Sequence, residues 1–308
     1  MSFTSDVKKE LTANFSTTGA LLALVRMNGS IGIFGKLTLS ITTENAGTAK
    51  YIYKMLQDLY EIRAEIHVHQ KTTLSKNRVY TVFLEENVND LLDELSLADS
   101  LLLDNGVPPF VMNDRLIQRD YLRGAFLSSG SLHNPEKGEY QLSIANVYQE
   151  HAEDLQKIFQ NFELNAKIIE RKNRYILYLT KAEDIMDFLT LIGAMQARLK
   201  FEDAKMIREM RGLANRQSNF ESANISKTVL AAQEAIDAIH FLNAKKEMVQ
   251  LAPQLTEIAR LRVDYPEASI RELGELLDPP LGKSGVNHRL RKIIELAQAL
   301  EAADKKSI

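Results

Sequence analysis

The chain has 308 residues, no cysteine and a formal net charge of −3. This length predicts two or three domains, and the lack of cysteine excludes disulfides, thiolate metal sites and a cysteine nucleophile. Because the net charge is close to zero, any basic surface must be local. No apolar run is long enough for a signal peptide or a membrane span, so we expect a cytoplasmic protein without membrane contacts.

Helical and strand patterns alternate along the first third of the chain. The expected elements are a helix over residues 3–15, a helix ending near Asn28, two strands within Ile31–Thr42, a helix over Thr48–Tyr60, strands over Ile62–His69 and Arg78–Leu84, and a helix over Val88–Leu95. After the short leading helix, the order is helix, two strands, helix, two strands, helix.

The same order returns after the turn-rich Asn105–Pro109 segment, from about Asp114 to Leu191. LTLSIT (Leu37–Thr42) is echoed by YQLSIA (Tyr140–Ala145). Further matching pairs are KMLQDLYEIRAEI (Lys54–Ile66) with KIFQNFELNAKI (Lys157–Ile168), RVYTVFL (Arg78–Leu84) with RYILYLT (Arg174–Thr180), and VNDLLDEL (Val88–Leu95) with AEDIMDFL (Ala182–Leu189). The preserved order predicts an internal duplication. Two αββαββα units with antiparallel strands predict an α+β domain with pseudo-twofold symmetry, whose sheets form a saddle under paired helices.

The leading helices of the two repeats carry small residues. YLRGAFLSSGSL (Tyr121–Leu132) has Gly124 in the middle of a helix, where glycine costs roughly 0.5–1 kcal/mol relative to alanine. LLALVRMNGSI (Leu21–Ile31) is also a small-apolar helix that ends in glycine and serine. We expect the two helices to pack through their small faces, with their C-terminal ends side by side.

Residues 195–248 carry no strand pattern and are interpreted as a helical linker. Ala197–Leu213 reads as a basic helix, which either contacts phosphate or is a solvated helix with interspersed acidic residues. The polar stretch Asn215–Asn224 is expected to separate it from a second helix, capped by Asn224 and running to about Leu242.

Three short helices are expected in the last sixty or so residues, as in a helix-turn-helix module. Leu255, Ile258 and Leu261 mark the first helix, and the S-x-x-E pattern of Ser269 to Glu272 predicts a capping box for the second. Ser284 is the expected cap of the final helix, whose apolar face comprises Val286, Leu290, Ile293 and Ala297.

The other face of the final helix is the predicted DNA-binding surface. Ser284, Asn287, His288 and Arg291 share one face at helical spacing, where Asn and Arg side chains can reach base edges in the major groove. Lys283, Arg289 and Lys292 are the expected phosphate contacts. The alternative is a solvated basic helix end. The turn before Lys283 is longer than the three to four residues of a tight helix-turn-helix.

The glycine-ended helix pair and the duplication resemble the LAGLIDADG homing endonucleases. Their combination with a helix-turn-helix resembles the WhiA family of bacterial DNA-binding regulators, over essentially the whole chain. SNFESANISKT (Ser218–Thr228) and PEASIRELGELLDPPLGKSGVNHRLRKI (Pro266–Ile293) are similar to that family's linker and C-terminal signatures. The resemblance implies a degenerate LAGLIDADG-like domain over residues 1–195 (repeats at about 1–104 and 110–195), a helical linker over 196–250 and a helix-turn-helix over 251–308.

In the LAGLIDADG family, the last acidic residue of each motif holds the metal ions that cut DNA. Aligning Gly29 and Gly130 with the final motif glycine places Asn28 and Ser129 at these positions, and neither side chain is charged. Two-metal hydrolysis needs negative charge to assemble the ions. We therefore expect no catalytic residues, cofactor or metal, although Asp120 and Glu136 lie near in sequence and leave another arrangement open.

The resemblance implies a transcription factor linked to sporulation or cell division, associated with the nucleoid. Double-stranded DNA is the expected partner, and another transcription regulator or RNA polymerase is a candidate protein partner. The alternatives are a chromosome- or division-associated protein that binds DNA without regulating transcription, and an active endonuclease.

Three weaker patterns remain. His67 and His69 lie on one strand face, and surface or sheet-packing histidines are favoured over a metal pair because no third ligand is suitably spaced. Two basic clusters, related by the duplication, suggest weak DNA contacts of the saddle, with a protein-docking surface as the alternative. They consist of Arg63, Lys71, Lys76 and Arg78 in one repeat and Lys167, Arg171, Lys172 and Arg174 in the other.

Overall fold

The computed structural model describes residues 2–13, 17–33, 35–70, 78–98 and 105–306. The chain divides into two compact units, one ending at Glu209 and the other starting at Met210. Both sequence repeats lie in the first unit, and the three expected C-terminal helices lie in the second.

The first repeat follows the predicted order of elements. They are α1 (Phe3–Ala13), α2 (Thr18–Asn28), β1 (Gly29–Gly32), β2 (Thr38–Thr43), α3 (Ala46–Tyr60), β3 (Glu65–Gln70), β4 (Arg78–Leu84) and α4 (Val88–Glu94). Residues 14 and 15, also expected in the first helix, lie outside the described residues. Asn45 caps α3 by accepting from the backbone N–H of Thr48 at 3.0 Å, as asparagine commonly does at a helix start.

The second repeat reproduces this order. Its elements are α5 (Pro109–Met112), α6 (Arg115–Ser129), β5 (Gly130–Leu132), β6 (Leu142–Asn146), α7 (Gln149–Asn161), β7 (Lys167–Arg171), β8 (Arg174–Leu179) and α8 (Ala182–Leu191). The sheets are antiparallel, with strand orders β1-β2-β4-β3 and β5-β6-β8-β7. The registers also match, since Gly29 pairs with Ile41 and Gly130 with Ile144. The predicted α+β duplication is confirmed.

Helices α2 and α6 pack through their small residues, as the sequence predicts. A Cβ atom on Gly124 would lie 2.3 Å from the carbonyl oxygen of Ala20 and 2.7 Å from the Cβ of Ala23. These distances are well inside van der Waals contact, so only glycine fits between the helices at this point. The buried apolar residues of both helices join one core with the inner faces of the two sheets.

The C-terminal ends of α2 and α6 also meet as expected, because Ser128 Oγ donates a hydrogen bond to Asn28 Oδ1. Gly130 follows α6 with an ordinary φ of −66°, so glycine is not needed there for a left-handed turn. A Cβ atom on Gly130 would instead lie 2.5 Å from the carbonyl oxygen of Phe126. The ring and the carbonyl group of Phe126 therefore leave no room for a side chain at this helix end.

The segment between the repeats is held by side chains from both of them. Arg26 Nε donates to the carbonyl oxygen of Gly106 at 3.0 Å, and Asp154 Oδ2 accepts from the backbone N–H of Val107 at the same distance. Arg26 belongs to α2 and Asp154 to α7, so each repeat fixes one side of this connection.

The predicted break in the linker is wrong. Residues Met195–Ala244 form one continuous helix, α9, and Asn224 lies inside it rather than at a cap. The Asn215–Asn224 stretch contains neither proline nor glycine, so no residue in it forces the helix to end. Gln217 Nε2 also donates to Glu221 Oε1 at 3.1 Å, an i,i+4 contact that favours the helix.

The second unit ends in the expected helices, α10 (Pro253–Asp264), α11 (Ile270–Glu275) and α12 (Lys283–Lys306), after a 3-10 helix over Glu247–Gln250. The predicted apolar face of α12 is buried, and the C-terminal part of α9 packs into the same core through Ala235, Ala238, Ile239 and Leu242.

The start of α11 is capped as predicted, and the start of α12 is not. Ser269 Oγ accepts from the Glu272 backbone N–H at 3.2 Å, and Glu272 Oε2 accepts from the Ser269 backbone N–H at 2.7 Å. This capping box holds the pKa of the Glu272 carboxyl below its usual value. Ser284 lies inside α12, and the carbonyl of Gly282 instead accepts the first helical hydrogen bonds.

Candidate nucleic-acid interface

The start of α12 presents an exposed polar and basic face. Ser284, Asn287, His288, Arg291 and Lys292 are exposed and line one surface groove together with Glu295. Burial of Val286 and Leu290 on the opposite face fixes the rotation of the helix, so the polar side chains face solvent. The Glu295 carboxylate would repel phosphate, so the surface suited to nucleic acid covers the first three turns of α12.

The remaining two predicted DNA-binding residues differ in their surroundings. Lys283 is exposed at the first position of α12. Arg289 is half-buried, and its Nη1 donates to the carbonyl oxygen of Gln254 at 3.5 Å. Arg289 therefore points toward the start of α10, on another side of α12 from Asn287 and Arg291.

Asn287 and Arg291 also line a second groove, of about 510 Å³, against the Lys227–Glu234 part of α9. Buried Arg262 of α10 lies at this groove and was missed by the sequence interpretation. Its Nη2 donates to the carbonyl of Tyr265 at 3.2 Å and to that of Ala268. Arg262 thereby orders the turn between α10 and α11, and its burial lowers the pKa of its guanidinium.

The ends of α2 and α6 form the second candidate site. Asn28 Nδ2 donates to the carbonyl oxygen of Thr42 at 2.9 Å, and Ser129 Oγ donates to that of Ala145 at 2.7 Å. The two hydrogen bonds are related by the duplication. A carboxylate at either position has no proton to donate and would face a carbonyl oxygen. Both positions are therefore built around hydrogen-bond donors.

The two acidic residues near these ends are placed elsewhere. Asp120 Oδ1 lies 3.6 Å from Arg123 Nη1 and 3.4 Å from Arg119 Nε, roughly 13 Å before Ser129 along the helix axis. Glu136 is exposed after β5. Across the described ranges, no three His, Asp or Glu side chains come together as a metal-binding group.

Replacing Asn28 with aspartate is expected to lower the free energy of unfolding by about 1–2 kcal/mol at pH 7, because the donor to Thr42 is lost and two acceptors meet. Below about pH 4, a protonated carboxyl can donate again and the loss should shrink. Denaturant unfolding at both pH values measures this. The same change at exposed Asn215 is the control, and equal effects at the two positions would contradict the account.

His67 and His69 belong to the edge strand β3, and their rings lie 6.4 Å apart. The His67 ring stacks on Phe83 at 5.4 Å, and its Nε2 lies 2.9 Å from Glu65 Oε2. These contacts agree with the expectation of sheet-packing histidines.

The second basic cluster lies at the end of the β7–β8 hairpin. Arg171 and Arg174 pair directly across the two strands, and Lys172 lies in the turn with a positive φ of 51°. Like charges in opposed positions destabilise a sheet unless an anion screens them. In the first cluster, Arg78 starts β4 and Arg63 precedes β3, whereas Lys71 and Lys76 lie outside the described residues.

Together, the duplicated sheets around a glycine-packed helix pair and the helix-turn-helix define a LAGLIDADG-like α+β protein with a helical C-terminal module. Family models for WhiA match three parts of the chain. These are the WhiA N-terminal LAGLIDADG-like domain over residues 16–98, the WhiA LAGLIDADG-like domain over 118–211 and the WhiA C-terminal HTH domain over 214–297. The chain belongs to the WhiA family.

Relatives match over almost their whole length. A Lactococcus lactis subsp. cremoris (strain MG1363) protein named "Probable cell division protein WhiA" is 79% identical over 304 residues, covering 99% of this chain and 100% of the relative. A protein of the same name from Streptococcus gordonii (strain Challis) is 48% identical, covering 97% and 100%.

The crystal structure of full-length DUF199/WhiA from Thermatoga maritima has the same fold, with a TM-score of 0.60 at 24% identity, covering 97% of this chain and 99% of that one. No helix in the part of the chain that the structure describes has the length and apolar character needed to cross a membrane.

Proposed function

We propose that this protein is a sequence-specific DNA-binding regulator of transcription that does not cut DNA. The observation that carries the proposal is the exposed face of α12, on which Asn287 and Arg291 project from a helix fixed by its buried opposite face. Arginine and asparagine side chains are able to form bidentate contacts with base edges, arginine with guanine and asparagine with adenine. Exposed Lys283 and Lys292 flank this face and suit phosphates.

The process served is cell division or sporulation. Relatives at 79% and 48% identity are named cell division proteins, which supports the first of these. A DNA partner places the protein in the cytoplasm, at the nucleoid, with another transcription regulator or RNA polymerase as its candidate protein partner.

The duplicated domain contributes weak contacts to the DNA backbone rather than chemistry. Asn28 and Ser129 offer no charge to assemble metal ions, and their donors are already engaged with Thr42 and Ala145. The opposed Arg171 and Arg174 provide positive charge that a phosphate would neutralise. An endonuclease is the less favoured alternative. Magnesium-dependent nicking of supercoiled DNA that stops when a chelator is added would favour it instead.

Replacing Arg291 with alanine is expected to weaken binding to the preferred site by about 1–3 kcal/mol and to relax base choice there, because a base contact is lost. Replacing Lys292 with alanine should weaken binding to all duplexes alike and reduce the salt slope by about one unit, because one phosphate contact is lost. Titrations of specific and random duplexes over a salt series measure both effects. If the two variants behave identically on both duplexes, the proposed division of roles is wrong.

A chromosome- or division-associated protein that binds DNA without regulating transcription would use the same surface. A genome-wide map of bound sites, compared with transcript changes on deletion, separates these two functions. Transcript changes concentrated next to bound sites are expected for a regulator. Bound sites without transcript changes would favour the alternative.

A further inference from the structure

An exposed apolar stripe runs along the second unit's part of α9. Met210, Leu213 and Phe220 are large apolar residues with exposed fractions of 64%, 61% and 67%. Gln217 lies between Leu213 and Phe220 on the same line, and Asn224 follows Phe220. The successive steps from Met210 to Asn224 are therefore three, four, three and four residues. Steps that average 3.5 residues keep these side chains on one seam of the helix, the spacing of core positions in a coiled coil.

This seam continues a face that is already covered further along the helix. Ala235, Ala238 and Leu242 lie on the same side of α9 and are buried against α10–α12. All residues from Leu213 to Ala231 are exposed in the structure. The stripe is therefore the uncovered part of a packing face. Single exposed apolar residues are ordinary, whereas an aligned set marks an interaction surface.

We propose that a second copy of this chain covers the stripe, in a parallel, in-register pairing of the two α9 helices. In heptad terms Met210, Gln217 and Asn224 occupy a positions, and Leu213 and Phe220 occupy d positions. Parallel pairing sets each a residue against its own copy. The Asn224 amide then finds a matching amide partner, whereas an unrelated apolar partner would leave it unsatisfied. The Gln217 amide already donates to Glu221 within its own helix, and its remaining groups face the second copy of Gln217.

Charges beside the seam fit the same register. Arg216 occupies a g position and Glu221 the following e position, five residues later, which is the pair that meets between parallel helices. Twofold symmetry produces this pair twice. Glu221 already accepts from Gln217 at the edge of the seam, so its carboxylate lies on the correct side. Because the stripe spans only about two heptads, the dimer should be weak and dependent on concentration.

Sedimentation velocity of the full chain over a concentration series, without DNA, tests the proposal. Wild type should form a reversible dimer, and the Leu213→Glu/Phe220→Glu variant should dissociate at least about a hundredfold more readily, because two charges enter the seam. Val229 is equally exposed, at 59%, but occupies an outward-facing f position. Val229→Glu is therefore the matched control and should leave dimerisation unchanged. A wild-type chain that stays monomeric throughout, or equal losses in both variants, overturns the proposal.

Charge exchange tests the register. Arg216→Glu should weaken the dimer about fivefold by opposing two carboxylates, and adding Glu221→Arg in the same chain should restore it. Because the chain has no cysteine, an added thiol is the only one present. Mild oxidation should cross-link Asn224→Cys within the dimer and leave Ser222→Cys, at an outward f position, uncross-linked. Equal cross-linking of the two variants, or no restoration by the double exchange, overturns the parallel register.

Discussion

Replacing Gly124 with valine is expected to lower the free energy of unfolding of the first unit by about 3 kcal/mol or more. The Cβ of any side chain at this position would enter the space of Ala20 and Ala23 on α2, and the nearest atom is a backbone oxygen at 2.3 Å. Backbone cannot rotate away as a flexible side chain can, so α2 and α6 must separate. Alanine at Gly124 should cost about 1–3 kcal/mol, even though it favours the helix.

Gly212 on α9 is the control for this change. It also lies inside a helix, but a Cβ atom there would meet only the end of the Arg216 side chain, at 3.5 Å. Gly212→Ala should therefore raise stability by up to about 1 kcal/mol through helix propensity alone. Thermal and denaturant unfolding of the full chain, with each unit's transition followed separately, measure both effects. If Gly124→Ala stabilises as Gly212→Ala does, the helices are not in the contact described.

Acid is expected to destabilise the first unit through buried His151. Its Nδ1 lies 2.9 Å from Asn146 Oδ1, and its Nε2 lies 2.7 Å from the hydroxyl of Tyr121. Asn146 Nδ2 donates to backbone carbonyls, so its Oδ1 must accept and Nδ1 of His151 carries the proton. Nε2 then accepts from Tyr121. This arrangement uses a neutral imidazole, and burial, followed by the positive charge of Arg26, lowers the pKa of His151 to about 4.

The sign of the effect follows from this lowered pKa. The unfolded chain binds a proton at His151 below about pH 6.5, whereas the folded chain resists protonation until about pH 4. The contribution of His151 to the free energy of unfolding is therefore fully present above the pKa of the unfolded chain and falls as the pH drops from 6.5 to 4. Integrated over that range, the loss is about 3 kcal/mol.

Comparison with a variant that cannot titrate isolates this contribution. His151→Gln should be less stable than wild type at pH 7, and the difference between them should narrow as the pH falls to 4. His288→Gln, which removes an exposed histidine from α12, should leave the pH profile of wild type unchanged. A constant difference between wild type and His151→Gln across this pH range would show that His151 does not carry the acid sensitivity.

The repeats, the small-residue helix pair and the capping box could be predicted because each depends on local pattern. Leu261 packs against the core as predicted, but Arg262 was missed because a charged side chain is not expected to be buried, and the structure buries it beside Leu261. Its position four residues after Ile258 was the available signal. Similarly, Asn224 suggested a helix cap, but asparagine caps a helix only where the backbone leaves the helical conformation, and α9 continues through this residue. The bonds of Asn28 and Ser129 required the sheet register, which sequence alone does not provide.

In the proposed function, the exposed face of α12 reads DNA and the duplicated domain does not cut it. Deleting the chain after Gln250 would uncover the buried face of α9 at Ala235–Leu242, so substitution in the full chain is the sharper experiment. The decisive comparison is between Asn287→Ala/Arg291→Ala/Lys292→Ala and Arg171→Glu/Arg174→Glu. Each is titrated against the preferred duplex over a salt series with magnesium, and the length of the DNA is checked afterwards.

We predict that the triple variant loses at least about a hundredfold in specific affinity. The charge-reversed hairpin should bind somewhat more weakly and with a shallower salt dependence, and the duplex should stay intact throughout. The opposite result would contradict the account. If the triple variant binds like wild type while charge reversal at Arg171 and Arg174 abolishes binding, the DNA surface lies on the duplicated domain. Unchanged affinity and salt dependence in the hairpin variant would exclude DNA contacts there.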